Sequence, residues 1–149
     1  MKIAIGADHG GVELKALITD HLEERGIEVV NYGTDSSESV DYPDFAHAVT
    51  HAVQEERVDY GILICGTGIG MSITANKEKG IRAALCGDVF SAQATKAHNN
   101  ANVLCLGARV VGPGLALMIV DAWLDANYEG GRHQKRLDKI AAIENAQDN

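Results

Sequence analysis

Residues 62–70, Ile62-Leu63-Ile64-Cys65-Gly66-Thr67-Gly68-Ile69-Gly70, decide how the chain is read. Gly61 and the β-branched, apolar run from Ile62 to Ile64 suit a central strand covered on both faces. Cys65 stands where that strand stops. Gly66, Gly68 and Gly70 sit at alternate positions and allow a sharp turn that presents backbone N–H groups to negative charge. Met71 to Lys77 predicts a helix whose N-terminus adds partial positive charge at the same spot. That setting favours the thiolate, the form of cysteine that acts as base or nucleophile.

Outward from this stretch the same unit repeats. Ile3 to Gly6 reads as a buried strand, and Ala7-Asp8-His9-Gly10-Gly11 is the turn after it. Between Val12 and Arg25, Leu14, Leu17, Ile18 and His21 or Leu22 recur at helical spacing, with Gly26 as the stop. Ile27 to Tyr32 predicts a second strand and 33–41 a polar loop. A helix follows from Tyr42-Pro43-Asp44 to near Arg57, with Phe45, Ala48, Val49, Ala52 and Val53 as its apolar stripe. Beyond the glycine loop, strands are expected at 81–86 and 103–107 and helices at 91–98, 112–127 and 132–146. The last two helices carry Leu115, Ile119, Ala122 and Trp123, and Leu137, Ile140 and Ile143. Alternating βα units predict one α/β domain over 1–149: a doubly wound, Rossmann-like, five-stranded parallel sheet with helices on both faces. Ligands of such sheets bind beyond the carboxyl ends of the strands, where Asp8-His9, Cys65 to Gly70 and Gly107 to Arg109 fall.

Composition narrows the function. A chain of 149 residues buries a core without disulfides or metals, so no linker is expected. With 13 Lys and Arg against 21 Asp and Glu, the net charge of -8 argues against nucleic-acid or anionic-membrane partners. An anionic ligand must therefore be caught by a local site. No signal-peptide core or long transmembrane run is evident, and three cysteines without metal-type spacing fit reduced thiols, so a cytoplasmic location is expected.

Each motif has a plainer alternative. The dinucleotide fingerprint needs GxGxxG after the first strand, whereas this loop follows the third, although Asp88 lies at the offset of a ribose-binding acid. Gly70 is followed by Met71-Ser72, with no Lys-Ser or Lys-Thr pair, which disfavours nucleotide hydrolysis. Cys86 and Cys105 read as small buried hydrophobes, while Cys65 sits at a strand end beside the glycine loop. His21, His47 and His51 lie on amphipathic helices and read as surface residues; His9 and His98 stand beside small polar residues, where an imidazole could serve as donor or acid. No two histidines are read as a ligand pair on one helix face, so no metal is expected. Arg132 and Arg136, one helical turn apart, can converge on one anion, though a solvated helix face with Lys135 and Lys139 explains them equally well.

Taken together, Asp8-His9-Gly10, Asp41-Tyr42-Pro43, Cys65 to Gly70, Ala75-Asn76-Lys77, His98-Asn99, Gly107-Ala108-Arg109-Val110-Val111-Gly112 and Gly130-Gly131-Arg132-His133 resemble the type B ribose-5-phosphate isomerase family across nearly the whole chain. The resemblance implies reversible conversion of ribose 5-phosphate to ribulose 5-phosphate in the pentose phosphate pathway, without cofactor, metal or nucleotide. It implies that Cys65 takes the proton from C2 of the opened sugar and returns it at C1, while backbone N–H groups of Gly66, Thr67, Gly68, Ile69 and Gly70 stabilise the enediolate oxygen. His98, with Thr67, matches the acid that opens the furanose ring. Asp8 and Asn99 would hold hydroxyls, Tyr42 would line the sugar site, and His9, Arg109, Arg132 and Arg136 would gather around the phosphate.

Some members use a glutamate after the glycine loop as base; Met71 stands there, which places this chain with the cysteine users. The family builds its site across a subunit interface, implying a homodimer or dimer of dimers, with the terminal helices and Trp123 as contacts. Relatives that isomerise allose or galactose 6-phosphate leave the sugar open. A nicotinamide-dependent oxidoreductase and a non-catalytic sugar-phosphate- or nucleotide-binding domain are the rivals from other classes.

Overall fold

The structure, a computed structural model, describes residues 1–147. Five strands alternate with helices: β1 (Lys2–Ala7), α1 (Val12–Glu24), β2 (Glu28–Asn31), α2 (Tyr42–Gln54), β3 (Tyr60–Cys65), α3 (Ile69–Ala75), β4 (Ala83–Leu85), α4 (Val89–Asn99), β5 (Val103–Gly107), α5 (Pro113–Asp125) and α6 (Arg132–Ala146). The strands form one parallel sheet in the order β2-β1-β3-β5-β4. The expected doubly wound α/β architecture is what the chain adopts.

The central position of β3 follows from its composition. Ile62, Leu63 and Ile64 are all fully buried, because one layer of helices covers each face. Ile62 and Ile64 join Leu14, Ile18 and Leu22 of α1 and Ile119, Val120 and Trp123 of α5 on one side. Leu63 and Cys65 join Ala46, Val49 and Ala52 of α2 and Met71 and Ala75 of α3 on the other. Gly61 and Gly11 mark where helices press hardest on the sheet. A Cβ at Gly61 would stand 2.6 Å from Val49 Cγ1, and one at Gly11 would stand 2.6 Å from Ile64 Cγ2.

Element ends differ from the sequence reading where side chains intervene. β4 is only three residues, and Asn76 lies against its outer edge: its Nδ2 donates to Ala83 O and its Oδ1 accepts from Ala83 N, both at 2.9 Å. This side chain satisfies an edge that another strand would otherwise pair. α4 starts at Val89 because Asp88 caps it, accepting from Ser91 N at 2.7 Å. That bond holds the Asp88 carboxyl below its ordinary range. Asp88 therefore has a local structural task that accounts for it without a ribose. Leu17 and Leu115, read as stripe positions, are exposed. Trp123 is 0% exposed and its indole donates to Ala101 O at 3.3 Å, so it belongs to the core and is not available as a subunit contact.

Lys96 of α4 is buried without a carboxylate partner among the contacts of its Nζ. That atom lies 3.9 Å from the Tyr60 ring centroid, 4.8 Å from the Trp123 ring and 3.5 Å from Trp123 O. Burial pulls its pKa down from 10.5 to about 8. The folded state therefore binds the proton less tightly than the unfolded state, and this group's penalty is largest below pH 8 and vanishes as pH rises past 10.5. The shift corresponds to about 3 kcal/mol, of which cation–π attraction returns about 1–2 kcal/mol. Lys96→Met is expected to stabilise the protein at pH 7 by about 1–2 kcal/mol. Its advantage should shrink between pH 8 and 10.5, as read by urea melts of both proteins across that range.

Candidate active site

At the carboxyl ends of β1, β3 and β5 the chain leaves the sheet in three adjacent turns. Ala108 N donates to Cys65 O and Arg109 N to Gly66 O, both at 2.9 Å, while Asp8 N donates to Ile64 O at 3.1 Å. These bonds lock the turns together. Asp8 is buried, and its Oδ1 accepts from Gly10 N at 2.9 Å. His9 projects into solvent with Nδ1 accepting from Val40 N at 3.2 Å. That acceptor role places any ring proton of the neutral imidazole on Nε2. A cavity of about 550 Å³ lies beside these turns, between His9, Ser37 and Ala108 and the Val12, Glu13 and Leu17 side of α1, and its lining does not include Cys65 or the glycine loop.

Cys65 ends β3 at 5% exposure, and its Sγ accepts from Gly68 N at 3.1 Å. The N–H points at the atom that carries negative charge when a thiolate forms. Only glycine suits position 68: its φ is +77°, and a Cβ would fall 2.5 Å from Leu85 Cδ1 and 2.8 Å from the Leu106 carbonyl carbon. Tyr42, at the start of α2, lays its ring on Gly70, where a Cβ would be 2.6 Å from Tyr Cζ. Ile69 N donates to Thr67 Oγ1 at 3.2 Å. Two amides of the loop, those of Gly68 and Ile69, thus already have partners. Cys86 and Cys105 behave as buried hydrophobes: burial pushes the Cys86 thiol up to about 11 and pushes Cys105 higher still.

Asp8, His9, Tyr42, Cys65, Gly66, Thr67, Gly68, Ile69, Gly70 and Arg109 are brought together. His98, Asn99, Arg132 and Arg136 are not. His98 and Asn99 end α4 at the opposite edge of the sheet, where Arg82 Nε donates to Asn99 O at 3.2 Å and Arg82 N donates to Asn102 Oδ1 at 2.8 Å, just before β5 begins. Cys65 pairs with Gly107 at the far end of that strand. Four residues of rise separate the two levels by about 13 Å. Arg132 and Arg136 share a helix face as expected, Arg136 Nη1 donating to Arg132 O at 3.1 Å.

Two histidine groupings lie outside the sites expected from the sequence. His47 and His51 stand one turn apart on α2 with rings stacked at 5.7 Å, but each turns to its own carboxylate, Glu78 and Glu55. Glu129 and His133, four residues apart where α6 begins, meet His98 from the end of α4, and no sequence interval links His98 to the other two. The i,i+4 spacing of Glu129 and His133 was the one legible sign.

The family model described as Ribose/Galactose Isomerase matches residues 3–140. The chain is 59% identical over 143 residues to ribose-5-phosphate isomerase B of Escherichia coli, covering 96% of each. It is 50% identical over 145 residues to D-erythrulose-4-phosphate isomerase of Pectobacterium atrosepticum, covering 97% of this chain and 95% of that one. The crystal structure of ribose-5-phosphate isomerase B from Mycoplasma genitalium, with ribulose 5-phosphate bound, superposes with a TM-score of 0.93 at 46% identity, covering 97% and 96% of the two chains.

Proposed function

Because this chain belongs to the ribose/galactose isomerase family and is an isomerase, we propose that it interconverts ribose 5-phosphate and ribulose 5-phosphate, as a homodimer or a dimer of dimers in the cytoplasm. The observation that carries the reading is Cys65 held at the end of β3 with its Sγ facing the Gly68 amide, in the crevice that also holds Asp8, His9 and Arg109. A base there takes the proton from C2 of the open sugar and delivers it to C1. The enediolate oxygen falls to the remaining loop donors at Gly66, Thr67 and Gly70, each worth a few kcal/mol in a site screened from water. Asp8 accepts from a sugar hydroxyl, and His9 Nε2–H and Arg109 bind phosphate.

The ring-opening acid His98, with Asn99, Arg132 and Arg136, completes this site from a second copy. One chain holds the two halves at opposite edges of its sheet, so a closed symmetric pair can join each half to its complement. Exposed apolar side chains support such a contact: Ile140 and Ile143 on α6 are 52% and 64% exposed, and Ile69, Ile73 and Phe90 project near the carboxyl edge. Of the apolar stripe on α6, Leu137 is covered within one chain, whereas Ile140 and Ile143 are not.

The test is kcat/KM with chelator present, for ribose 5-phosphate, erythrulose 4-phosphate, allose 6-phosphate and galactose 6-phosphate in one series. Ribose 5-phosphate is expected to lead by at least about tenfold, the discrimination a pocket gains from one carbon unit. A lead by the four-carbon sugar, favoured by the Pectobacterium relative, would move the substrate and keep the chemistry.

A further inference from the structure

His98, Glu129 and His133 are arranged more tightly than a ring-opening acid alone requires. Glu129 N donates to Ala97 O at 2.9 Å, tying the segment before α6 to the last turn of α4. The Glu129 carboxylate then lies 3.3 Å from His133 Nε2 and 3.9 Å from His98 Nε2. The imidazoles stack with centroids 4.4 Å apart and planes at 13°. All three ligand atoms lie within 4.8 Å of one another.

Two imidazole nitrogens and a carboxylate oxygen form a donor set suited to zinc-class divalent cations, with a fourth position left open. Bonds of about 2.0–2.1 Å require tetrahedral donors about 3.4 Å apart. The Glu129–His133 pair already meets that separation. His133 is buried and Glu129 is anchored through its backbone, so both hold their places. His98, with 43% of its side chain exposed, is the donor with room to close the gap. Arg132 and Arg136 are exposed where His133 and Leu137 are buried, so the guanidinium groups occupy a different stripe of α6. The His47–His51 pair offers no comparable set, because Glu78 and Glu55 draw the two rings to separate partners.

We propose that His98, Glu129 and His133 bind one zinc-class divalent cation, and that the bound cation switches the isomerase off by occupying His98 Nε2. Binding stands on the geometry of the three donors. Switching rests on the reading of His98 as the acid that opens the sugar ring. On this reading the cation is an inhibitor whose removal restores the free imidazole.

Zinc is titrated calorimetrically into the metal-free full-length protein at pH 8, where ordinary imidazole is neutral. A parallel titration uses Cys65→Ser, which removes that thiol as a competing ligand. One saturable equivalent per chain is expected in both. Glu129→Gln, an exposed and nearly isosteric change, should weaken binding at least about tenfold, as should His133→Asn. Turnover of the wild type should fall over the same zinc range and recover with chelator, while Glu129→Gln, compared with its own chelated rate, resists. Absence of saturable binding, or equal affinity in wild type and Glu129→Gln, would overturn the site. Full activity at saturating zinc would overturn the switch. Failure of the isomerase reading is seen separately, as absence of turnover by chelated wild type on every sugar phosphate.

Discussion

Cys65→Ala is expected to lower kcat by at least about 10³-fold while leaving phosphate affinity within about threefold of wild type. On the proposed reading, the thiol is the group in the crevice that moves the proton between neighbouring carbons, while Asp8 and His9 bind the sugar and its phosphate. Met71, the position after the glycine loop, is fully buried and has no proton to exchange. Cys86 and Cys105 offer no substitute, since burial favours the neutral thiol in both. Phosphate affinity is expected to persist because the proposed phosphate donors are His9 and the arginines, not Cys65. Cys65→Ser separates geometry from basicity: its hydroxyl can accept from Gly68 N as Sγ does at 3.1 Å, yet it is a far weaker base. The two variants should therefore be similarly inactive, as measured by steady-state turnover alongside competition binding of ribose 5-phosphate. Wild-type turnover by either would sink the base assignment.

Mixing two defective proteins is expected to restore activity. Cys65→Ala lacks the proposed base at the carboxyl edge, and Arg132→Ala/Arg136→Ala lacks the cations at the opposite edge. Each charge-assisted bond to a phosphate is worth about 1.5–3 kcal/mol, so the arginine variant should be nearly silent at low substrate and show a KM raised roughly 10- to 100-fold per arginine. If sites form between copies, random reassortment makes half the pairs hybrid, and each hybrid holds one intact and one doubly damaged site. Roughly a quarter of wild-type kcat/KM should then return after co-refolding. If one chain supplies a whole site, the mixture will show only the sum of its parents. The same samples in an analytical ultracentrifuge give the oligomer directly.

Much of the carboxyl-edge half was readable because its residues lie within a few positions of strand ends. In a parallel sheet every strand ends on the same edge, so Asp8, Cys65 and Arg109 converge once β1, β3 and β5 are identified as neighbours. The other half was legible only as residue types. His98 and Asn99 end a helix and Arg132 begins one, and placing those ends relative to Cys65 requires knowing which way each helix runs against the sheet. Asp88 shows how weak an offset alone is: the position expected of a ribose-binding acid holds a helix cap bonded to Ser91. Trp123 likewise looked like a contact residue and proved to be core, because packing against Tyr60 and the bond to Ala101 O absorb both its ring and its N–H.

By itself, the sequence determined the order of the elements, the burial of β3 and the glycine loop at its end. These follow from local period, from the β-branched apolar run before Cys65 and from glycines at alternate positions after it. Tertiary structure alone decided that the expected site residues divide between two edges of one sheet. It also decided that Glu129 stands between His98 and His133. Both depend on distances between segments far apart in the chain, which are set by how helices pack on a twisted sheet and leave no mark on the spacing of residues along it.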